Sequence, residues 1–485
     1  MIMAKEQAFL KARQFMTQLE QLVERSATES RRIDVVEREL FGGLLQLGRE
    51  LLSAFVSAEG DGDVGDVVYH EDKSLRRSEQ PTSRRYVSIF GELEIERFVY
   101  VERAKQREHV PLDARLGLPA GDFSYVLEDW LQRLCVRDAF AEACNSLADL
   151  LGVRVSVRAT EHMSQAMAQH VEPFVAQQPP PPAREEGEIF VATFDGKGVP
   201  MRRPLQERVR SGTRRKKGEK ANKKQMACVA GVYSIDRFRR TADDVLNEVR
   251  RRERRQDRPE PKHKHMWAEM THVHQGETYN GRSLAFIGAA IKLHRRDPRD
   301  QKPIVCITDG EQALLDEVKQ WLPPRTIHIL DIMHVLERLW LAAYCFHAEG
   351  SREAEAFVDH RLRMLLEGKV GQVIGGLRRM LSSQDLAGEK CRVLRSVIGY
   401  YDNHRDSMRY DQYLAAGYPI GSGVVEGACR HLVKDRMERT GMRWTVPGAR
   451  AILQLRATYL NDDWPEFVTY RIETEQATLY AKCAA

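Results

Sequence analysis

The chain predicts an α/β protein in which a mixed sheet, covered by helices on both faces, follows a mostly helical N-terminal region. Three observations lead there. First, Ile189, Phe190, Val191, Ala192, Thr193 and Phe194 form an apolar, β-branched and aromatic run between a Pro-rich segment and glycines, the pattern of a short buried strand. Second, Pro303 to Thr308 repeats that pattern, and both runs end in Asp-Gly, at Asp195-Gly196 and Asp309-Gly310. Third, beyond residue 188 three consecutive strand patterns are followed by alternating helix and strand, which builds a mixed sheet. Asp195 is expected where its strand runs out, at the rim of the sheet, although Asp-Gly after a strand is more often a plain turn.

Taken from the N-terminus, residues 1-58 read as long amphipathic helix with Phe9, Phe15, Leu19 and Leu22 in its first part and Leu40, Leu44, Leu47 and Leu51 in its second, suited to packing or oligomerisation. In 59-120 alternating runs at Tyr86 to Phe90 and Leu93 to Val101 flank Gly91 and Glu92 and predict a β-hairpin. In 121-175, Phe140 to Leu151 is helix-periodic, Gly152-Val153 interrupts it, and Ser156 can cap a further helix. Helix-turn-helix motifs share this layout with plain helical hairpins. Residues 176-188, with Pro179 to Pro182 consecutive, predict a stiff extended linker at the main domain boundary.

Beyond the linker the expected order is strands 189-194, 226-234 and 264-270, helix 282-294, strand 303-308, helix 311-321, strand 326-330 and helix 331-347. That order matches the ribonuclease H-like fold. In that fold the first and fourth strands are neighbours, which would bring Asp195 and Asp309 together as hard oxygen ligands for Mg²⁺ or Mn²⁺.

Length 485 suggests two to four domains, and 42% hydrophobic with 30% charged residues describes a soluble, folded protein. Net charge is only +5, but Met201 to Met226 holds eleven Lys or Arg, including Arg214, Arg215, Lys216 and Lys217, against two Glu. Arg250 to His265 is a second basic run. One such run reads as a solvated loop, whereas two flanking an acidic site point to a polyanionic substrate. Eight scattered cysteines lack disulfide or metal-ligand spacing, as expected of reduced thiols in the cytosol. His263, His265, His272 and His274 have no Cys or carboxylate at zinc-ligand spacing and read as surface or DNA-facing residues. The N-terminus has no signal-peptide pattern and no window reaches membrane-spanning length.

From Tyr418 the chain runs through Gly421-Ser422-Gly423, where Ser422 can cap a helix, into a register placing Glu426, Arg430 and Lys434 on one face. On the residues alone, a surface helix with favourable Glu-Arg pairing is the better account of that face. Together, FDGKG, ITDGEQALL, the Asp331-Ile-Met-His334 element and GSGVVEGACRHLVKDRM with GMRW resemble bacterial insertion-sequence transposases of the ISKra type, related to Mutator-like elements. The resemblance covers most of the chain from Glu188 onward, and the long final block is its most specific part. It implies that Asp195, Asp309 and Glu426 form an acidic triad holding two Mg²⁺ (or Mn²⁺) ions. Asp331 and His334 match the Asp/Cys-x-x-His element of these relatives, while Asp331 also reads as the cap of the helix that His334 begins.

The resemblance further implies a catalytic core in two parts, 189-347 and 406-485, split by a helical insertion at 348-405. Relatives often carry a Cys pair after the N-terminal hairpin, and Val101 to Pro111 here has none. The implied activity is binding of terminal inverted repeats, strand cleavage and strand transfer into double-stranded target DNA, by a homodimer or larger assembly in the bacterial cytoplasm at the nucleoid. Arg430, Lys434 and Arg443 are expected on DNA. Trp444 either stacks on an unpaired base or packs in the core. A nuclease of the same fold that does not join ends, and a non-catalytic helix-turn-helix regulator, are the alternatives.

Overall fold

The computed structural model describes residues 9–70, 73–102, 108–202, 224–250, 257–383, 386 and 388–480. The basic run with Arg214, Arg215, Lys216 and Lys217 lies outside the described residues. The chain divides into two compact units, Met1–Ala176 with Asp462–Ala485, and Gln177–Asn461.

In the first unit the N-terminal apolar periodicity resolves into two helices, Leu10–Thr28 and Ile33–Ala58. The chain reverses between them at Ser30, whose φ is +49°. Strands β1 (Val67–His70) and β2 (Lys73–Arg77) precede the expected hairpin, β3 (Thr82–Ser88) and β4 (Gly91–Arg97). Two short strands, β5 (Tyr100–Val101) and β6 (Glu108–His109), complete a sheet ordered β1-β2-β5-β6. Helices Tyr125–Cys135, Phe140–Leu151 and Val157–Ala168 share a core through Leu127, Leu131, Ala143, Leu147 and Met163. Ser156 caps the third of them, accepting from Ala159 N at 3.2 Å.

The last helix, Trp464–Tyr480, belongs to this unit and not with the rest of 406-485. Trp464 donates its indole N–H to Asp129 at 2.7 Å, and Arg471 forms a buried ion pair with Glu128. A buried charge needs its partner, so these two contacts fix the helix where it is.

The second unit is built on a five-stranded sheet: β7 (Ile189–Pro200), β8 (Lys224–Ile235), β9 (Lys262–Met270), then, after an exposed hairpin of β10 (His272–His274) and β11 (Glu277–Tyr279), β12 (Ile304–Thr308) and β13 (Ile327–Leu330). Its order is β13-β12-β7-β8-β9. β7, β8 and β9 run antiparallel in succession, while β12 is parallel to both β7 and β13. This is a mixed sheet, as the element order requires.

Period-two alternation buries both faces. Ile189, Val191, Val305, Ile307 and Ile329 face one core, which also takes in helix Ile332–Ala343 and the helices Arg352–Leu366, Val370–Ser383 and Gly388–Asn403. Phe190, Ala192, Phe194, Ala230, Val232 and Cys306 face the other, against helix Gly281–Arg296, where Phe194 stacks on Phe286 at 3.6 Å. The Pro-rich stretch ends pinned to this unit: Glu186 pairs with Arg296 at 2.6 Å, and Gly187 N donates to Ser234 Oγ at 2.9 Å. Among the described residues no helix is long and apolar enough to cross a membrane.

Candidate functional site

β7 does not stop at Asp195. It pairs with β8 without interruption from Ile189↔Ile235 to Pro200↔Lys224, with Asp195 opposite Val229, so Asp195-Gly196 is strand and not the expected strand end. On its other side β7 loses its neighbour earlier. Ile307 pairs with Thr193, and Thr308 pairs with Leu330. Continuing both registers places Asp195, Asp309 and Asp331 level with one another across three adjacent parallel strands, roughly 5 Å apart per strand.

Each aspartate is held differently. Asp195, half-buried, accepts from Gly196 N at 2.6 Å on Oδ1 and from the Cys429 thiol at 3.1 Å on Oδ2. Asp309, also half-buried, accepts from Glu311 N at 2.8 Å, and its carbonyl takes the Tyr400 hydroxyl at 2.6 Å. The turn after it needs Gly310: φ is +85°, and a Cβ there would stand 2.7 Å from Leu330 Cδ1. Asp331 is fully buried, and both of its oxygens have donors. Oδ1 caps helix Ile332–Ala343 through Met333 N at 2.8 Å, and Oδ2 receives Ser422 N at 3.1 Å together with the Ser422 hydroxyl.

Ser422 therefore does not cap its own helix through its side chain. It ties the start of helix Gly423–Ala428 to Asp331, and that helix carries Glu426. Asp331, His334 and Glu426 come together, their ligand atoms within 4.8 Å of one another. Asp195 and Asp309 are not part of that group. Glu426 is itself exposed, yet desolvation by its neighbours raises its carboxyl above the ordinary value, Asp331 and more weakly Asp195 and Glu337 add to the rise, and His334 opposes it. Negative charge is thus crowded at this sheet edge.

Asp331→Asn tests how much the double role matters. The amide can keep one acceptor but must point an N–H₂ at a second set of donors. A loss of about 1 to 3 kcal/mol in stability is expected, the usual cost of a buried polar group left without its partner. A urea titration showing wild-type stability would contradict it.

After Ala428 the expected α-register gives way to a π-helix, Cys429–Lys434. Arg456 explains part of this by donating Nε to the His431 carbonyl at 2.7 Å, a side chain inserted into the backbone ladder. Arg430 and Lys434 remain exposed beside Glu426, and Arg430 reaches forward to Asp435 at 3.9 Å, so it is not the partner of Glu426 that α-helical spacing suggests. Arg443 is exposed.

Trp444 is a core residue and not a stacking platform. It is 6% exposed, donates Nε1 to Met437 O at 3.0 Å, and lies under the buried Arg436 guanidinium at 4.9 Å from the ring centroid. Its backbone bridges Met201, just past the end of β7. Trp444→Ala should cost about 3 to 5 kcal/mol, as for other buried aromatics. An alanine variant melting like the wild type would return Trp444 to the surface.

Three contributors escape the sequence patterns: Cys429 on Asp195, Tyr400 on the Asp309 carbonyl, and Ser422 on Asp331. Only Ser422 carries a local signal, and that signal is for a cap. No protein-family model matches this chain, and no curated protein matches it either.

Proposed function

We propose that this chain is a metal-dependent DNA transposase with a ribonuclease H-like core, of the kind the ISKra-type resemblance implies. The observation that supports it most is the level alignment of Asp195 and Asp309 at one edge of parallel strands, with the helix bearing Glu426 tied to the same edge through Cys429 and Ser422. The order β9-β8-β7-β12-β13 with β8 antiparallel to its neighbours agrees with that fold.

The donor set fits Mg²⁺ or Mn²⁺, because carboxylate oxygens are hard ligands and three such side chains are brought to this edge by β7, β12 and the Glu426 helix. Asp195, Asp309 and Glu426 would hold the ions, with Asp331 and His334 set against Glu426. Divalent ions held by these residues would supply charge stabilisation to an in-line displacement at phosphorus. Water attacks first and frees a 3′-hydroxyl at the element's end; that hydroxyl then attacks a target phosphodiester and displaces its 3′-oxygen.

Exposed Arg430, Lys434 and Arg443 contact flanking phosphates and carry no base information. The helices from Tyr125 to Ala168 recognise the terminal repeats, and two ends in one reaction require at least a dimer. The place of action is the bacterial nucleoid. Incubating the purified chain with paired terminal repeats, a target plasmid and Mg²⁺ tests all of this. Joined product is expected; cleavage without joining identifies a nuclease, and repeat binding without cleavage identifies a regulator.

A further inference from the structure

We propose that Cys429 is a positioning residue, whose thiol orients the Asp195 carboxylate and locks the Glu426 helix against β7. The inference rests on the reading of Asp195 as a metal ligand. Three observations carry it.

The first is the contact. Cys429 Sγ lies 3.1 Å from Asp195 Oδ2 and the residue is 5% exposed, so water does not compete for the carboxylate on that side. With Gly196 N on Oδ1 at 2.6 Å, both oxygens have a donor and the carboxylate plane is fixed. The second is the place in the chain. Cys429 follows Glu426 by three residues, one turn along, so a bond from Cys429 to β7 sets how far Glu426 stands from Asp195. The third is the helix itself. The α-helix widens to a π-helix beginning at Cys429, and π-turns inside α-helices are frequent at functional sites.

A thiol suits the task because it is a weak donor. It orients the oxygen yet leaves lone-pair capacity for a cation, whereas a charged donor would compete with one. Groups that hold a metal ligand in place commonly change affinity or activity by about 10 to 100-fold when removed.

The test uses the full chain with Cys429→Ala, which removes the donor, and Cys429→Ser, which keeps one. Mn²⁺ affinity, read from the metal-induced rise in melting temperature, should fall about 10-fold in Cys429→Ala and return in Cys429→Ser, with DNA affinity unchanged in both. In the infrared difference spectrum between wild type and Cys429→Ser, the S–H stretch should lie low, as for a thiol donating to a carboxylate, and should rise in Asp195→Asn. An S–H band that ignores Asp195→Asn, a Cys429→Ala chain with wild-type Mn²⁺ affinity, or a Cys429→Ser chain no better than alanine overturns the proposal. A chain that shows the expected Mn²⁺ and S–H behaviour yet neither cuts nor joins DNA overturns the transposase reading alone.

Discussion

Asp195→Asn and Asp309→Asn should each lower DNA cleavage by about a thousand-fold or more while the protein stays folded and keeps its grip on DNA. A bound divalent ion contributes several kcal/mol of charge stabilisation at phosphorus, and each 1.36 kcal/mol is tenfold in rate, so losing one anionic ligand is expected to cost at least about three decades. The fold should tolerate both changes. Asn matches Asp in shape, the Gly196 and Glu311 amides retain a carbonyl oxygen to bond, only the weak thiol bond from Cys429 is given up at Asp195, and the Tyr400 hydroxyl holds the Asp309 main chain, not its side chain. Cleavage kinetics alongside melting and DNA-binding measurements decide it. Near-normal cleavage in either variant removes that residue from the site.

The two variants also contrast with Asp331→Asn, which is expected to lose stability first. The difference lies in burial. Asp195 and Asp309 are half-open to solvent, whereas Asp331 is sealed between the helix it caps and the chain around Ser422. Three acids stand level at one sheet edge, and their surroundings differ: two remain half-open to solvent, while Asp331 is buried and joins two elements through both of its oxygens.

How much of this could be read from residue order follows from the range of each interaction. β7, β12 and β13 were legible because strands buried on both faces are continuous apolar runs. The far half of β7 was not: Asp195-Gly196-Lys197-Gly198 reads as a turn, and only pairing with β8 across to Lys224 makes it strand. The exposed hairpin His272–Tyr279 and the short strands from Val67 to Arg77 have no apolar alternation to announce them. Glu426, Asp331 and His334 were found through motif resemblance, but what brings them together was hidden. Asp331 meets Ser422 from 91 residues away, and Cys429 meets Asp195 from 234. The last helix joined the first unit for the same reason, since Arg471 and Glu128 are 343 residues apart. Local propensity says nothing about such pairs.

Glu426→Gln should abolish cleavage and yet make the metal-free protein more stable at neutral pH. Local desolvation and the charges of Asp331, Asp195 and Glu337 raise the exposed Glu426 carboxyl above its ordinary value of 4.5, so the folded state holds that proton more tightly than the unfolded chain does. Such a group favours folding below the unfolded-state pKa, and its contribution is lost as pH rises through the folded-state pKa. At neutral pH the ionised carboxylate is therefore a burden that the neutral amide lacks. The stability gap between Gln and wild type should be widest at neutral pH and should close on acidification toward the ordinary Glu value, where both side chains are uncharged. Mg²⁺ or Mn²⁺ should close it from the other side, because a cation relieves the crowded charge of the wild type and has one ligand fewer in the variant. Cleavage should fall to about a thousandth or less, by the same arithmetic as for the aspartates. Melting curves across pH, with and without metal, read every part of this. A Gln variant no more stable than wild type at neutral pH, or one that gains as much from Mn²⁺, would mean that Glu426 neither bears that charge burden nor helps to hold the ion.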